Sequence, residues 1–127
     1  MPRMTQLVLT LRSRPGVLAD IARALADAGV NITALCAGDA AGRGKIRILV
    51  NNPVKARRAL RRAGYRPVEE PAFVVRMRNR PGMLARIAGK VAKARINIKS
   101  AYATTAGGSA SVVLTLGNSA KARRLLR

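Results

Sequence analysis

The chain has 127 residues and a formal net charge of +20, from 25 basic and 5 acidic side chains. It contains no His and a single Cys, which excludes an intrachain disulfide and removes the residue most often used for acid–base and metal chemistry. No stretch of the sequence approaches the roughly 18 consecutive apolar residues of a membrane-spanning helix. A lone Cys is typical of a reducing compartment, so we predict a cytoplasmic protein without a membrane span.

The first predicted elements are a strand, a turn and a helix. The strand pattern shows Leu7, Leu9 and Leu11 on one face and Gln6, Thr10 and Arg12 on the other, as expected of a strand with one buried face. The Arg-Pro-Gly sequence at residues 14–16 ends this strand, since Pro and Gly together mark a turn. From residue 17 apolar side chains recur at helical spacing as far as Ala28, and Gly29 stands where a C-terminal cap is expected.

A hairpin and a second helix follow. We predict strands at residues 30–37 and 46–50, joined by a flexible turn at residues 38–42. Asn52 is a suitable N-cap with Pro in the next position, and the helix is expected to end near Ala63. A fourth strand is predicted at residues 66–70. The order β-α-β-β-α-β is the split βαβ arrangement, a four-stranded antiparallel sheet with two helices on one face.

The second half of the chain repeats the first at an offset of 66 residues. Between residues 7 and 32, 13 of 26 positions are identical at this offset, which holds without an insertion to Arg127. A period of this length suits a small domain duplicated in tandem. We therefore predict two α+β domains of ferredoxin-like βαββαβ topology, at residues 1–72 and 73–127. The elements of the second copy are expected at residues 73–77, 83–94, 96–103 and 112–116 and from Ser119 onward.

The second repeat is expected to lack its final strand, because the equivalents of residues 62–72 would lie beyond Arg127. In a ferredoxin-like sheet that strand lies beside the first strand of the repeat. Repeat 2 should therefore be three-stranded and expose the edge formed by residues 73–78. An unpaired edge invites pairing with another chain, so we expect self-association, for example as a homodimer.

Both repeats keep Arg-Pro-Gly between the first strand and the first helix. Gly permits a positive φ or a close approach of backbone to ligand, and the free amides at a helix N-terminus accept a carboxylate or phosphate. The same residues also suit a tight turn that has no ligand. The spacing alone leaves both interpretations open.

The sequence around these loops resembles the ACT domain. Residues 79–88, followed by Ile-Asn-Ile at 96–98, carry the resemblance in the second repeat, and residues 13–19 with 29–32 carry it in the first. It covers nearly the whole chain as a tandem pair. The resemblance implies a module that binds small molecules, mostly amino acids, and regulates amino-acid metabolism. It also implies that ligand lies between one domain's strand-to-helix loop and the second strand of a neighbouring domain.

The resemblance implies two related sites, each with a loop and an Asn at the start of a second strand. One site would use Asn79, Arg80, Pro81, Gly82 and Met83 with Asn31, and the other Ser13, Gly16 and Val17 with Asn97. Loop amides would bind the ligand carboxylate, and Asn oxygens would accept hydrogen bonds from its ammonium group. Serine-binding members carry a His where this chain has Leu11 and Met77, and Ser13 replaces the loop Asn. The identity of the ligand therefore stays open.

The five acidic residues show no spacing typical of metal ligands or of an acid–base pair. We therefore predict a protein that is not an enzyme and that needs no cofactor or metal.

The alternative function is nucleic-acid binding, because residues 73–127 contain 12 basic residues and no acidic one. RNA-recognition modules of this layout stack bases on sheet aromatics, which are scarce here. An anionic partner, a nucleic acid or an acidic protein, would then be bound by charge, through two groups of helix residues. These groups are Arg86, Lys90 and Lys93, and Arg57, Arg58, Arg61 and Arg62. The basic surface is equally explained as a solvated face.

Overall fold

The computed structural model describes residues 3–126 and divides the chain into two compact units. One unit is Thr5–Glu70; the other contains residues 71–126 together with residues 3 and 4. The elements in chain order are β1 (Arg3–Arg12), α1 (Val17–Asp27), β2 (Ile32–Ala40), β3 (Arg43–Val50), α2 (Pro53–Arg62), β4 (Val68–Arg78), α3 (Met83–Lys93), β5 (Ile98–Ala106), β6 (Ser109–Leu116) and α4 (Ser119–Leu125).

The unit of residues 5–70 has the strand order β2-β3-β1-β4, to which β4 contributes residues 68–70. Strand β3 pairs antiparallel with both β1 and β2, with Leu9 opposite Ile46. Apolar side chains from one face of these strands pack against both helices. The buried residues of this core include Leu7, Leu9, Ile21, Leu25, Ile46, Ile48 and Leu60. The predicted antiparallel sheet with its helices on one face is confirmed.

The unit of residues 71–126 repeats this arrangement with the order β5-β6-β4. Val75 lies opposite Val112 in the antiparallel pair β4–β6. The core is aliphatic apart from Phe73 and includes Val75, Val91, Val112, Leu114, Leu116 and Leu126. The predicted pair of ferredoxin-like repeats is therefore confirmed. The predicted domain limits, 1–72 and 73–127, remain a proposal from the sequence.

The expectation of a three-stranded second repeat needs a correction. In the described residues no strand follows α4, as predicted. Strand β1, however, is the neighbour of β4, and its residues Arg3 and Met4 belong to the same unit as residues 71–126. The first described residues of β1 therefore belong to the second unit, which the sequence did not predict.

Two strand boundaries also differ from the prediction. The turn expected at residues 38–42 contains only Ala41 and Gly42, both with positive φ (53° and 79°), because β2 continues to Ala40. Two-residue turns of this kind match the twist of the strands they join. The strands predicted separately at 66–70 and 73–77 form the single strand β4, which continues through Pro71.

Helix caps follow the repeat, with one exception. Gly29 has φ 73° after α1, and its N–H donates to the Ala26 carbonyl at 2.9 Å, as expected of a C-terminal cap. The equivalent position after α3 is Arg95, with φ 59°. A left-handed conformation costs a residue with a Cβ roughly 1–2 kcal/mol. Asn52 and Asn118 cap α2 and α4 with side-chain hydrogen bonds of 3.1 and 3.0 Å.

A buried polar group lies on the sheet face opposite the helices of repeat 1. The side chain of Gln6 is fully buried, and its Nε2 donates a hydrogen bond to Glu70 Oε1 at 3.1 Å. Arg47 Nε lies 3.5 Å from the same oxygen, and the two charged side chains are only 15% and 20% exposed. At the positions equivalent to Gln6 and Arg47, the second repeat has Ala72 and Val113.

Candidate ligand-binding site

The first strand-to-helix loop, residues 13–17, is held to the β2–β3 hairpin by its backbone. The Ser13 N–H donates to the Gly42 carbonyl at 2.8 Å. Gly16 is the N-cap of α1 with φ 87°, a conformation that L side chains rarely adopt. Its carbonyl accepts from the Asp20 N–H at 2.9 Å, which starts the helix. Val17 points into the core, while Ser13 and Gly16 are exposed.

The second loop, residues 79–83, has the same construction. The Asn79 N–H donates to the Gly108 carbonyl at 2.9 Å, and its side-chain Nδ2 reaches the Gly107 carbonyl at 3.5 Å. Gly82 has φ 88° and caps α3, and Met83 is half-buried behind it. Arg80 and Pro81 are exposed. The two loops have the same backbone conformation, and each leaves the N-terminus of its helix, α1 or α3, exposed with its first amides.

The two helix N-termini differ in charge. The first turn of α1 contains Asp20, whose carboxylate lies 3.3 Å from the Arg14 guanidinium. The first turn of α3 contains no acidic residue, and Arg86 stands at the position equivalent to Asp20. Because negative charge near a helix N-terminus competes with a bound anion for the same partial positive charge, α3 is the better end for a carboxylate.

The two predicted Asn residues immediately precede the second strand of their repeats, and both are exposed. The Asn31 N–H donates to Asn51 Oδ1 at 3.0 Å, and its carbonyl accepts from the Asn51 N–H at 3.1 Å. The Asn97 carbonyl accepts from the Gly117 N–H at 2.8 Å, and Gly117 has no side chain to return a second bond. Asn31 belongs to the unit of residues 5–70 and Asn79 to the other unit. Their union in one site therefore stays a prediction.

An open pocket that the sequence did not indicate lies on the surface of the unit of residues 5–70. It has a volume of about 250 Å³, and Leu11, Val17 and Ile46 line its apolar part. Arg14 and Asp39 provide its charged lining. Nothing in the sequence signals this pocket, because Asp39, which is expected in a flexible turn, lies in β2.

A larger, open groove of about 530 Å³ runs along α1 and α2 in the same unit. Its lining is mostly polar and includes Arg23, Asp27, Arg62 and Tyr65.

Within residues 3–126, His, Cys, Asp and Glu side chains form no group of three that could hold a metal ion. None of the helices in this part of the chain has the length and apolar composition needed to cross a membrane.

The family of the chain follows from a match to the family model described as an ACT domain pair, which covers residues 3–127. The chain belongs to this family. ACT domains are regulatory modules that bind small ligands and often oligomerise.

Solved structures share the fold. A protein from Bacteroides thetaiotaomicron has a TM-score of 0.90 and 27% identity, covering 98% of this chain and 86% of its own. The ligand-free regulatory subunit of aspartate kinase from Thermus thermophilus has a TM-score of 0.73 and 20% identity over 100% of this chain and 94% of its own. The corresponding subunit from Thermus flavus has a TM-score of 0.67 and 19% identity, over 98% and 88%. Among curated protein sequences, none matches the chain.

Proposed function

We propose that this protein is a non-catalytic regulatory module that responds to an amino acid, bound at the loop of residues 79–83 together with Asn31. The observation that carries the proposal is the exposed N-terminus of α3, which has a left-handed Gly82 at its cap and no acidic residue in its first turn. Such an end offers unpaired N–H groups and partial positive charge to a carboxylate.

The polar side chains implied for the ammonium end are both at the surface. Asn31 is exposed, and its backbone is fixed by the two hydrogen bonds to Asn51. Asn79 is exposed as well, and its Nδ2 is directed to the Gly107 carbonyl, which orients the amide. An amide oxygen in each side chain can accept a hydrogen bond from an ammonium group. The loop at Ser13, Gly16 and Val17 with Asn97 is the reciprocal, weaker site, because Asp20 already neutralises its helix end.

A thermal-shift experiment tests this function. Each of the twenty amino acids is added at about 100 times a presumed dissociation constant, where binding to the native state adds about 2.7 kcal/mol of stability. One amino acid should raise Tm by several degrees, and Asn79→Ser, which copies Ser13 of repeat 1, should reduce that rise. The matched control is Asn118→Ser, which makes the same replacement at the N-cap of α4, where Ser also caps well, and it should keep the rise. If none of the amino acids moves Tm, the proposed ligand class is wrong.

A second candidate function is favoured by the charge of one unit. Residues 71–127 contain no acidic side chain, and the last turns of α3 and α4 carry Lys90, Lys93, Arg123 and Arg124. We infer that a nucleic acid or acidic protein would be bound here through charge. Affinity for a labelled oligonucleotide should then fall steeply with salt, and binding that survives half-molar salt would contradict this mode. Homodimer formation and a cytoplasmic location remain predictions from the sequence.

A further inference from the structure

The exposed face of α2 is strongly basic. Five of the ten residues of this helix are Lys or Arg, and none is acidic. A helix turns by about 100° per residue, so Arg58, Arg61 and Arg62 lie on one side of α2, within an arc of about 100°. All three are exposed. Residues three or four apart on a helix have Cβ atoms about 5–6 Å apart, so three arginines extend from one small area of the surface.

The turn after α2 adds a fourth arginine. Gly64 has φ 93°, and its N–H donates to the Arg61 carbonyl at 3.0 Å. The Tyr65 N–H donates to the Leu60 carbonyl at 2.9 Å. These two hydrogen bonds hold the chain against the end of the helix. Arg66, which is exposed, therefore lines the same open pocket of about 530 Å³ as Arg61.

Neither ion pairing nor the helix dipole accounts for this cluster of arginines. Glu69 forms an ion pair with Arg57. Among the described residues, no carboxylate lies within 4 Å of Arg58, Arg61 or Arg66. Basic side chains are favourable in the last turn of a helix, which explains Arg61 but neither Arg58 nor Arg66. Like charges three or four residues apart destabilise a helix, and a bound anion removes this repulsion.

The close spacing of the arginines favours a densely charged partner. Arginine binds a phosphate group with two parallel N–H donors. A nucleic-acid duplex carries one negative charge per about 1.7 Å of its axis. An extended polypeptide advances about 3.3 Å per residue, and only alternate side chains point to one face. The cluster is therefore better matched to a duplex than to an acidic protein.

The same unit is poorly suited to bind a single strand. Proteins bind single-stranded nucleic acid largely by stacking bases on aromatic side chains. Tyr65 is the one aromatic residue in the sequence of residues 5–70, and it is half-buried against the core of the unit. A duplex held by its backbone needs no stacking surface, so it is the partner that fits.

We propose that α2 and the turn after it bind the phosphodiester backbone of a nucleic-acid duplex, through Arg58, Arg61 and Arg66 and without base recognition. Arg62 contributes less, because Asp27 lines the same groove. The site uses none of the residues of the proposed amino-acid site and none of the basic residues between 71 and 127. Each of these sites can therefore fail alone.

The test is fluorescence anisotropy of a labelled DNA duplex with the full-length chain, over a series of salt concentrations. Each phosphate contact contributes about −0.9 to the slope of log K against log salt. Arg58→Gln, Arg61→Gln and Arg66→Gln should therefore each make the slope shallower by about 0.9, and the triple variant by about 2.7. Duplexes of different sequence should bind equally well, because no base is contacted.

Two further variants assign the binding to α2. Arg124 stands at the position equivalent to Arg58 in the second repeat, so Arg124→Gln is the matched control and should leave the slope unchanged. Glu69→Gln releases Arg57 from its ion pair and should make the slope steeper by about 0.9. Circular dichroism should show the wild-type fold for every variant, because all the replaced side chains are exposed.

The proposal is overturned if the chain does not bind the duplex at about 50 mM salt, or if the triple variant keeps the wild-type slope. A slope that is changed by Arg124→Gln and not by Arg58→Gln would place the contact among residues 71–127 and reject α2. Poly-L-glutamate that competes as well as the duplex at equal charge would show that the partner is an acidic protein. The amino-acid thermal-shift experiment is unaffected by any of these outcomes, so the two proposals are tested independently.

Discussion

Replacing Glu70 by Ala should destabilise the protein far more than replacing its neighbour Glu69. Glu70 Oε1 accepts from Gln6 Nε2 at 3.1 Å and lies 3.5 Å from Arg47 Nε. Gln6 is 0% exposed, and the side chain of Arg47 is 15% exposed. Without the carboxylate, a guanidinium that is mostly buried loses its counter-ion.

The magnitude follows from how deeply the group is buried. Breaking a fully buried ion pair costs about 3–5 kcal/mol, whereas exposed pairs contribute about 0–1 kcal/mol. Because Glu70 itself is 20% exposed, we expect a loss of about 2 kcal/mol, between these limits. At about 4 °C per kcal/mol for a chain of this size, Tm should fall by about 8 °C.

Glu69 provides the matched control. It is the adjacent residue and also pairs with an arginine, Arg57, but their side chains are 45% and 32% exposed. Glu69→Ala should therefore cost less than about 1 kcal/mol. The assay is urea unfolding followed by far-UV circular dichroism, with the m-value compared between the variants. Equal losses for the two variants would refute the reasoning.

Apolar replacement of the whole group is the complementary experiment. Repeat 2 has Ala72 and Val113 at the equivalents of Gln6 and Arg47. The triple variant with Gln6→Ala, Arg47→Val and Glu70→Val leaves no buried charge, so it should be more stable than Glu70→Ala alone. If the triple variant is less stable than Glu70→Ala, the three polar side chains stabilise the sheet by more than is needed to offset the cost of burying them.

Three further variants follow from differences between the repeats. Gly117→Asn should raise the free energy of unfolding by about 1 kcal/mol, because the new side chain can accept a hydrogen bond from the Asn97 N–H, as Asn51 does from the Asn31 N–H. Gly117→Ala is the control in the same urea unfolding experiment and should be stabilised less. Arg95→Gly should raise the urea midpoint of unfolding, because Gly adopts the positive φ of 59° without strain. Gly29→Ala, at the equivalent position, should lower the midpoint. Unchanged midpoints in both variants would show that the positive φ causes no strain at this position. Gly82→Ala places a Cβ at φ 88°, so it should lower the free energy of unfolding by about 1 kcal/mol. The Tm should fall accordingly, and any rise in Tm caused by ligand should be smaller.

The sequence by itself determined the elements whose signals are local. The alternation over residues 7–11, the helical spacing from Val17 and the glycine after α1 each depend on neighbours within a few residues. Asn52 was predicted as an N-cap from the residues next to it, and its side chain accepts from the Lys55 N–H at 3.1 Å. The repeat extended the same inferences to the second half of the chain, where α3 and α4 begin at the expected residues.

Only the tertiary structure decided the features that join distant parts of the chain. Gln6 and Glu70 are 64 residues apart, and neither residue type indicates the other in a sequence. The addition of Arg3 and Met4 to the second unit has the same origin. The open pocket on the unit of residues 5–70 also depends on distant segments, because the loop at Arg14 meets the end of β2 at Asp39. Local periodicity reports which face of an element is buried, but the element that covers this face is selected by packing between residues far apart in sequence.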